Sequence, residues 1–107
     1  MPTIRANAPY VTQINHIRVA PENQDALIAR MIAQDEEVMS RQPGFISSTI
    51  HKGRDGRDVV NDVQFESTEL LDAAHASPAF KAHFEAYRAY ILDAGPTIYD
   101  IAYIRER

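Results

Sequence analysis

The sequence predicts an α+β domain of the ferredoxin-like type, a four-stranded antiparallel sheet with its helices on one face. Three observations predict it. At 107 residues the chain makes one domain with little room for a second. Its apolar periodicity switches between two and about 3.6 residues in the order β–α–β–β–α(α)–β, the order of the split βαβ motif. Turn signals at Pro21, Pro43-Gly44, Asp55-Gly56 and Gly95-Pro96 separate the segments.

Residues 1–9 carry two prolines and little periodicity and read as an arm preceding a domain over 10–107. Residues 10–19, YVTQINHIRV, are rich in β-branched side chains and predict the first strand. One face holds Val11, Gln13, Asn15, Ile17 and Val19. The other holds Tyr10, Thr12, Ile14, His16 and Arg18. After Pro21, with Asn23 as its cap, Leu27, Ile28, Met31, Ile32, Val38 and Met39 recur at helical spacing to about Arg41. Asp35 interrupts that stripe and, with Glu36 and Glu37, reads as a solvated helix edge.

FISSTIHKG (45–53) and VVNDVQFE (59–66) read as a hairpin turning at Asp55-Gly56. In the returning strand Val59, Asn61, Val63 and Phe65 share a face. Ser67 caps a short helix, and Ser77-Pro78 starts another. That helix carries Phe80, His83, Phe84, Tyr87, Tyr90, Ile91 and Ala94 in an apolar stripe, with Gly95-Pro96 as its stop. TIYDIAYI (97–104) then reads as the last strand.

Composition narrows the function classes. Eleven basic against fifteen acidic residues give a net charge of −4, against a nucleic-acid-binding surface, which needs clustered Lys and Arg. Zero cysteines exclude disulfides, thiolate metal sites, Fe–S clusters and a Cys nucleophile. No apolar run approaches the ~18 residues of a membrane helix, and MPTIRANAP lacks the apolar stretch of a signal peptide, so a cytoplasmic protein with no membrane partner is expected. The four glycines all fall in turn segments and form no phosphate loop, so a dinucleotide cofactor is unsupported. No histidine pair has metal-ligand spacing, and no metal is expected.

The sheet face away from the helices still carries Ile14, Phe45 or Ile46, and Tyr99 or Tyr103. So small a domain gains by covering such a face, and a homodimer packed sheet to sheet is predicted. On the helix side, the first and third strands are neighbours in this topology. Asn15 and Asn61 therefore project into one cavity between sheet and helices. A buried amide without a partner costs about 1–3 kcal/mol, so each wants the other, backbone, water or a ligand.

Three stretches together, INHIRVAPEN (14–23), RQPGFISSTIHKGRDGRDVVNDVQF (41–65) and ESTELLDAAHASPAFKAH (66–83), resemble the antibiotic biosynthesis monooxygenase domain, whose fold is the dimeric α/β barrel. The resemblance spans about residues 10–104. It extends to the cofactor-independent anthrone oxygenases of aromatic polyketide pathways, which turn anthrone-type polycycles into quinones. On that pattern Asn15 and Asn61 are the catalytic amides, and Phe65 stands where the pattern has a tryptophan. The haem-degrading members fit less well. Asn15 matches, but Ala74 stands at their Trp position and Phe84 at their His position, with His83 one residue early.

The resemblance thus implies an oxygenase using a small aromatic substrate and O2 with no cofactor. Asn15 and Asn61 would donate hydrogen bonds to a developing oxyanion. Phe65, Phe80, His83, Phe84 and Tyr87 are the expected substrate contacts, aromatic walls suiting planar rings. His16 and His51 are assigned to the dimer side and His75 to a solvated helix end. An isomerase or cyclase and a ligand-binding dimer are the alternatives on the same fold.

Overall fold

The structure is a computed structural model that describes residues 10–107; the arm expected over residues 1–9 lies outside the described residues. β1 (Val11–Val19) leads through a 3-10 turn at Pro21–Asn23 into α1 (Gln24–Glu37). A 3-10 turn at Met39–Arg41 precedes the hairpin β2 (Phe45–Lys52) and β3 (Asp58–Phe65). Then come α2 (Thr68–Ala76), α3 (Pro78–Tyr87), a 3-10 turn at Arg88–Tyr90 and β4 (Ile91–Tyr99). The strands form one antiparallel sheet in the order β2-β3-β1-β4, the ferredoxin-like arrangement expected.

Local chemistry sets the boundaries. The side chain of Ser67 accepts from the Leu70 N–H and that of Ser77 from the Phe80 N–H, each satisfying an orphan donor of a helix start. Asn23 does not cap as expected. Its backbone is already helical (φ −106°, ψ −5°), so its side chain lacks the extended cap geometry, and Pro21 opens the turn instead. The hairpin turns at Gly56 (φ +80°), where Asp55 Oδ1 accepts from the Arg57 N–H at 2.9 Å. Gln24, buried at the start of α1, donates to the Gly53 and Asp58 carbonyls at 2.9 and 3.0 Å and ties the helix to that hairpin.

Gly44 also has positive φ (+84°), and a Cβ there would lie 2.5 Å from Leu70 Cδ1. The Gly44 carbonyl accepts from the Glu66 N–H, so the turn cannot shift freely. Gly44→Ala is expected to destabilise by about 1–2 kcal/mol from backbone strain alone, lowering the melting temperature by several degrees. A melting curve matching wild type would show that the turn relaxes without cost.

The largest difference from the sequence reading is at the C-terminal end. The last helix stops at Tyr87 and does not run to Ala94. β4 begins at Ile91, six residues before the expected start, and passes through Gly95-Pro96. Proline is compatible with an edge strand, where its missing N–H forfeits no ladder bond, and β4 is an edge. The helical spacing of Tyr90, Ile91 and Ala94 was therefore coincidental.

The outer sheet face is also more polar than expected. Phe45 is not on it: it stands opposite Phe65 and packs edge-on against that ring at 5.8 Å, on the helix side. Ser47 donates to Gln64 at 2.6 Å and Gln64 donates to Thr12 at 3.2 Å across three strands. His51 pairs with Asp62 at 2.9 Å. The exposed large apolar side chains include Leu92, Ile98 and Tyr99 of β4 and Tyr103 beyond it.

The core between sheet and helices falls into two clusters. Ile17, Val19, Leu27, Met31, Val59 and Tyr87 form one. Met39, Val63, Phe65, Leu71 and Ala74 form the other. On β3 the division falls at Asn61, between Val59 and Val63. On β1 it falls at Asn15, between Ile17 and Val11, which packs on the second cluster. The polar pair interrupts the apolar stripe, and the space it leaves is the candidate site.

Candidate active site

Asn15 and Asn61 are direct cross-strand partners in the β1–β3 register. Their row continues to Ile50 on β2 and Pro96 on β4. Neither flanking side chain offers a hydrogen bond. The Oδ1 atoms of both asparagines are buried and have no hydrogen-bond partner. An acceptor left without any partner costs about 1–3 kcal/mol, so each calls for a donor from water or a ligand.

These two amides lie on the floor of a partly open cavity of about 160 Å³. Gln13 and Ile17 flank Asn15 on β1, and Ser48, Ile50 and Val63 come from the neighbouring strands. Helix α1 contributes Met31, Gln34 and Asp35, spaced three and four residues apart and so on one helix face. Met39 and Ile91 add aliphatic wall, and the rest is aromatic. Phe80 and Phe84 lie nearly parallel (8°) with ring centres 6.5 Å apart, and Tyr87 meets Phe84 edge-on at 5.4 Å. His75, at the end of α2, packs its imidazole against Phe80 at 4.9 Å.

Gln34 is fully engaged. It accepts from the Tyr87 hydroxyl at 2.8 Å and donates to the Phe80 carbonyl at 3.2 Å, which pins α1 to α3. Burial pushes the Tyr87 phenol up to about 12, against a smaller opposing effect of the Gln34 hydrogen bond, so it stays protonated at neutral pH. Burial also lowers the His75 pKa, with the Asp72 carboxylate opposing, so its neutral form is favoured.

Of the seven residues singled out from sequence, five line this cavity: Asn15, Asn61, Phe80, Phe84 and Tyr87. Two do not reach it. Phe65 is completely buried in the second core cluster, beneath α2 and against Phe45. His83 points away and pairs with Glu37 at 3.0 Å. Two others were missed. Asp35 is not on a solvated edge: Glu36 and Glu37 are exposed, but Asp35 is half-buried on the cavity wall. His75 is not solvated either. The break in the apolar stripe at Asp35 was a usable signal. For His75 there was none, because its placement depends on how α2 and α3 meet.

The family model for antibiotic biosynthesis monooxygenases matches residues 10–86, most of the chain. The chain belongs to this family. Tetracenomycin-F1 monooxygenase of Streptomyces glaucescens is 37% identical over 89 residues, covering 83% of this chain and 80% of that relative. SnoaB, a cofactor-independent oxygenase from Streptomyces nogalater, matches with a TM-score of 0.70 and 28% identity over 94% of this chain and 97% of its own. A Nitrosomonas europaea protein with a TM-score of 0.79 over 91% of this chain and 94% of its own is 13% identical and shares the fold. The family member described here is a monooxygenase. Among its described residues no helix is long and apolar enough to cross a membrane.

Proposed function

We propose that this family member is a cofactor-independent monooxygenase that oxidises a phenolic polycycle, of anthrone or quinol type, with O2 to a quinone in an antibiotic or polyketide pathway. The observation that carries the reading is the pair of buried, unpartnered Asn15 and Asn61 carbonyl oxygens facing one aromatic-walled cavity. Two acceptors in that setting suit hydroxyl donors on a planar ring system.

The sequence reading had these amides donating to an oxyanion, whereas the atoms left without partners are acceptors. Both roles fit one amide. Its terminal torsion is broad and two-fold, so it can accept a phenolic O–H in the ground state and turn its NH2 toward a developing enolate oxygen. Loss of the acidic C–H gives a carbanion delocalised onto that oxygen. The carbanion passes one electron to O2, and the two radicals combine into a C–O bond. The resulting hydroperoxide loses water to leave the carbonyl. One oxygen atom ends in the quinone and one in water, and the substrate supplies the electrons. Donors aimed at the enolate oxygen in a largely apolar cavity stabilise the step that creates the charge.

Cavity size shapes the substrate's pose. A closed cavity of ~150 Å³ holds a benzene-sized ligand, so about 160 Å³ seats the reacting ring and lets further rings extend through its opening. Ile98 stands opposite Gln13, on the cavity's side of the sheet, and is 43% exposed; Leu92 is 69% exposed. A second copy seated over β4 would cover these exposed apolar side chains, which supports the homodimer. Sedimentation at twice the 12.1 kDa chain mass is the expected result, and a monomer at micromolar concentration would remove it.

The direct test is an oxygen electrode with a dihydroxyanthrone and no added cofactor. Uptake of one O2 per quinone formed, well above the uncatalysed rate, is expected. Tight binding without turnover would point instead to a ligand-binding dimer, and proton exchange without oxygen uptake to an isomerase.

A further inference from the structure

Resting on the oxygenase reading above, we propose that His75 is the general base that takes the substrate's C–H proton in this cavity and returns it to the peroxide.

The reaction needs a proton acceptor, and the polar side chains of the cavity wall leave few choices. Asn15, Asn61, Gln13 and Gln34 are amides without a basic atom near neutral pH. The Tyr87 hydroxyl is protonated and already donates to Gln34. Ser48 is an alcohol. Asp35 and His75 are left.

His75 differs from the other three histidines. His51 is paired with Asp62 and His83 with Glu37, both outside the cavity, and His16 is exposed on the outer sheet face. His75 lies on the cavity wall, and among the described residues its ring nitrogens have no hydrogen-bond partner. Its ring stands against Phe80, which stacks with Phe84, so a planar substrate lying along that aromatic wall meets the imidazole at its edge. Burial in the wall favours the neutral form, the form able to take a proton.

The steps balance through one nitrogen. The C–H bond breaks, its electron pair enters the enolate, and the proton moves to the His75 ring. After O2 has added as the peroxide anion, imidazolium returns that proton to the terminal oxygen. Neutral His75 then takes the second C–H proton as the O–O bond breaks, and that proton leaves with hydroxide as water.

Asp72 on its own helix is the charged group that acts on His75, and Asp35 from α1 and Tyr87 from α3 are the other titratable groups that line the same cavity. Asp72 opposes the effect of burial, but burial is the larger influence. The rate should therefore rise with pH along a limb centred below 6.5, the ordinary histidine value.

The experiment measures two rates on the full chain with a dihydroxyanthrone: deuterium exchange at the substrate C–H without oxygen, and O2 uptake in air. His75→Ala should slow both by about a hundredfold or more, and added imidazole should restore part of each. His75→Gln keeps the polarity and most of the volume if the alanine variant folds poorly, and should be equally slow. His51→Ala should behave as wild type. If wild type takes up O2 and both His75 variants keep its exchange rate, the base assignment is overturned and the oxygenase reading stands. If Asp35→Asn loses exchange and His75→Ala does not, the carboxylate is the base and the assignment is overturned. If wild type exchanges, His75→Ala does not, and no O2 is consumed, His75 is the base of an isomerase and the oxygenase reading fails. A wild type inert in both assays overturns both.

Discussion

Asn15→Leu and Asn61→Leu are expected to lose turnover while gaining stability. Each removes a buried acceptor that has no partner within the protein. Relief of that cost is about 1–3 kcal/mol, and leucine adds apolar contact with Ile50, Ile17 or Val63 along the cavity floor. For a domain of this size ~1 kcal/mol moves the melting temperature by roughly 4–8 °C, so an upward shift of several degrees is expected. Loss of one hydrogen-bond donor to a developing oxyanion raises a barrier by about 2.7–4 kcal/mol, so quinone formation should fall by about a hundredfold or more. The two effects have opposite sign because the chain keeps a polar pair that no other group of the protein satisfies. Unchanged oxygen uptake in both variants would sink the catalytic assignment. Lowered melting temperatures would show that the two amides have partners in the folded chain.

Phe65→Ala is expected to cost about 3–5 kcal/mol, the usual consequence of emptying a fully buried aromatic site. A single domain has only about 5–15 kcal/mol in hand, so this variant should melt far below wild type or fail to fold. The resemblance to the anthrone oxygenases pointed to Phe65 as a substrate contact in place of a tryptophan. The structure instead holds it in the second core cluster, edge-on to Phe45, away from the cavity wall. Phe65→Leu, which keeps most of the apolar volume, separates the two roles. Retained substrate affinity with a modest loss of stability is the expected outcome. A large rise in KM with an unchanged melting temperature would return Phe65 to the site.

The strands and the hairpin were legible because their signals are local. β-branched residues alternate through Val11–Val19, and Asp55-Gly56 supplies the positive φ that a tight hairpin needs. That Asn15 and Asn61 share one cavity was legible too, since element order makes β1 and β3 neighbours and period-two alternation selects their faces, whereas their direct pairing is a matter of register that only the structure gives. The start of β4 was not. Tyr90, Ile91 and Ala94 repeat at helical spacing, and Gly95-Pro96 normally ends a helix. Only the pairing of Pro96 with Asn15 on an edge strand makes that segment extended.

The same distinction runs through the candidate site. The sequence by itself determined the element order and an amide pair on the helix-facing side of the sheet, because periodicity and turn chemistry act over a few residues; the family was legible only through the resemblance of three stretches of sequence. Tertiary structure alone decided that His75 rather than His83 stands in the cavity wall and that Phe65 is core. Those outcomes depend on how α1, α2 and α3 settle against one another over the sheet. A rotation of one helix by a single residue, ~100°, exchanges a cavity-facing side chain for a solvated one.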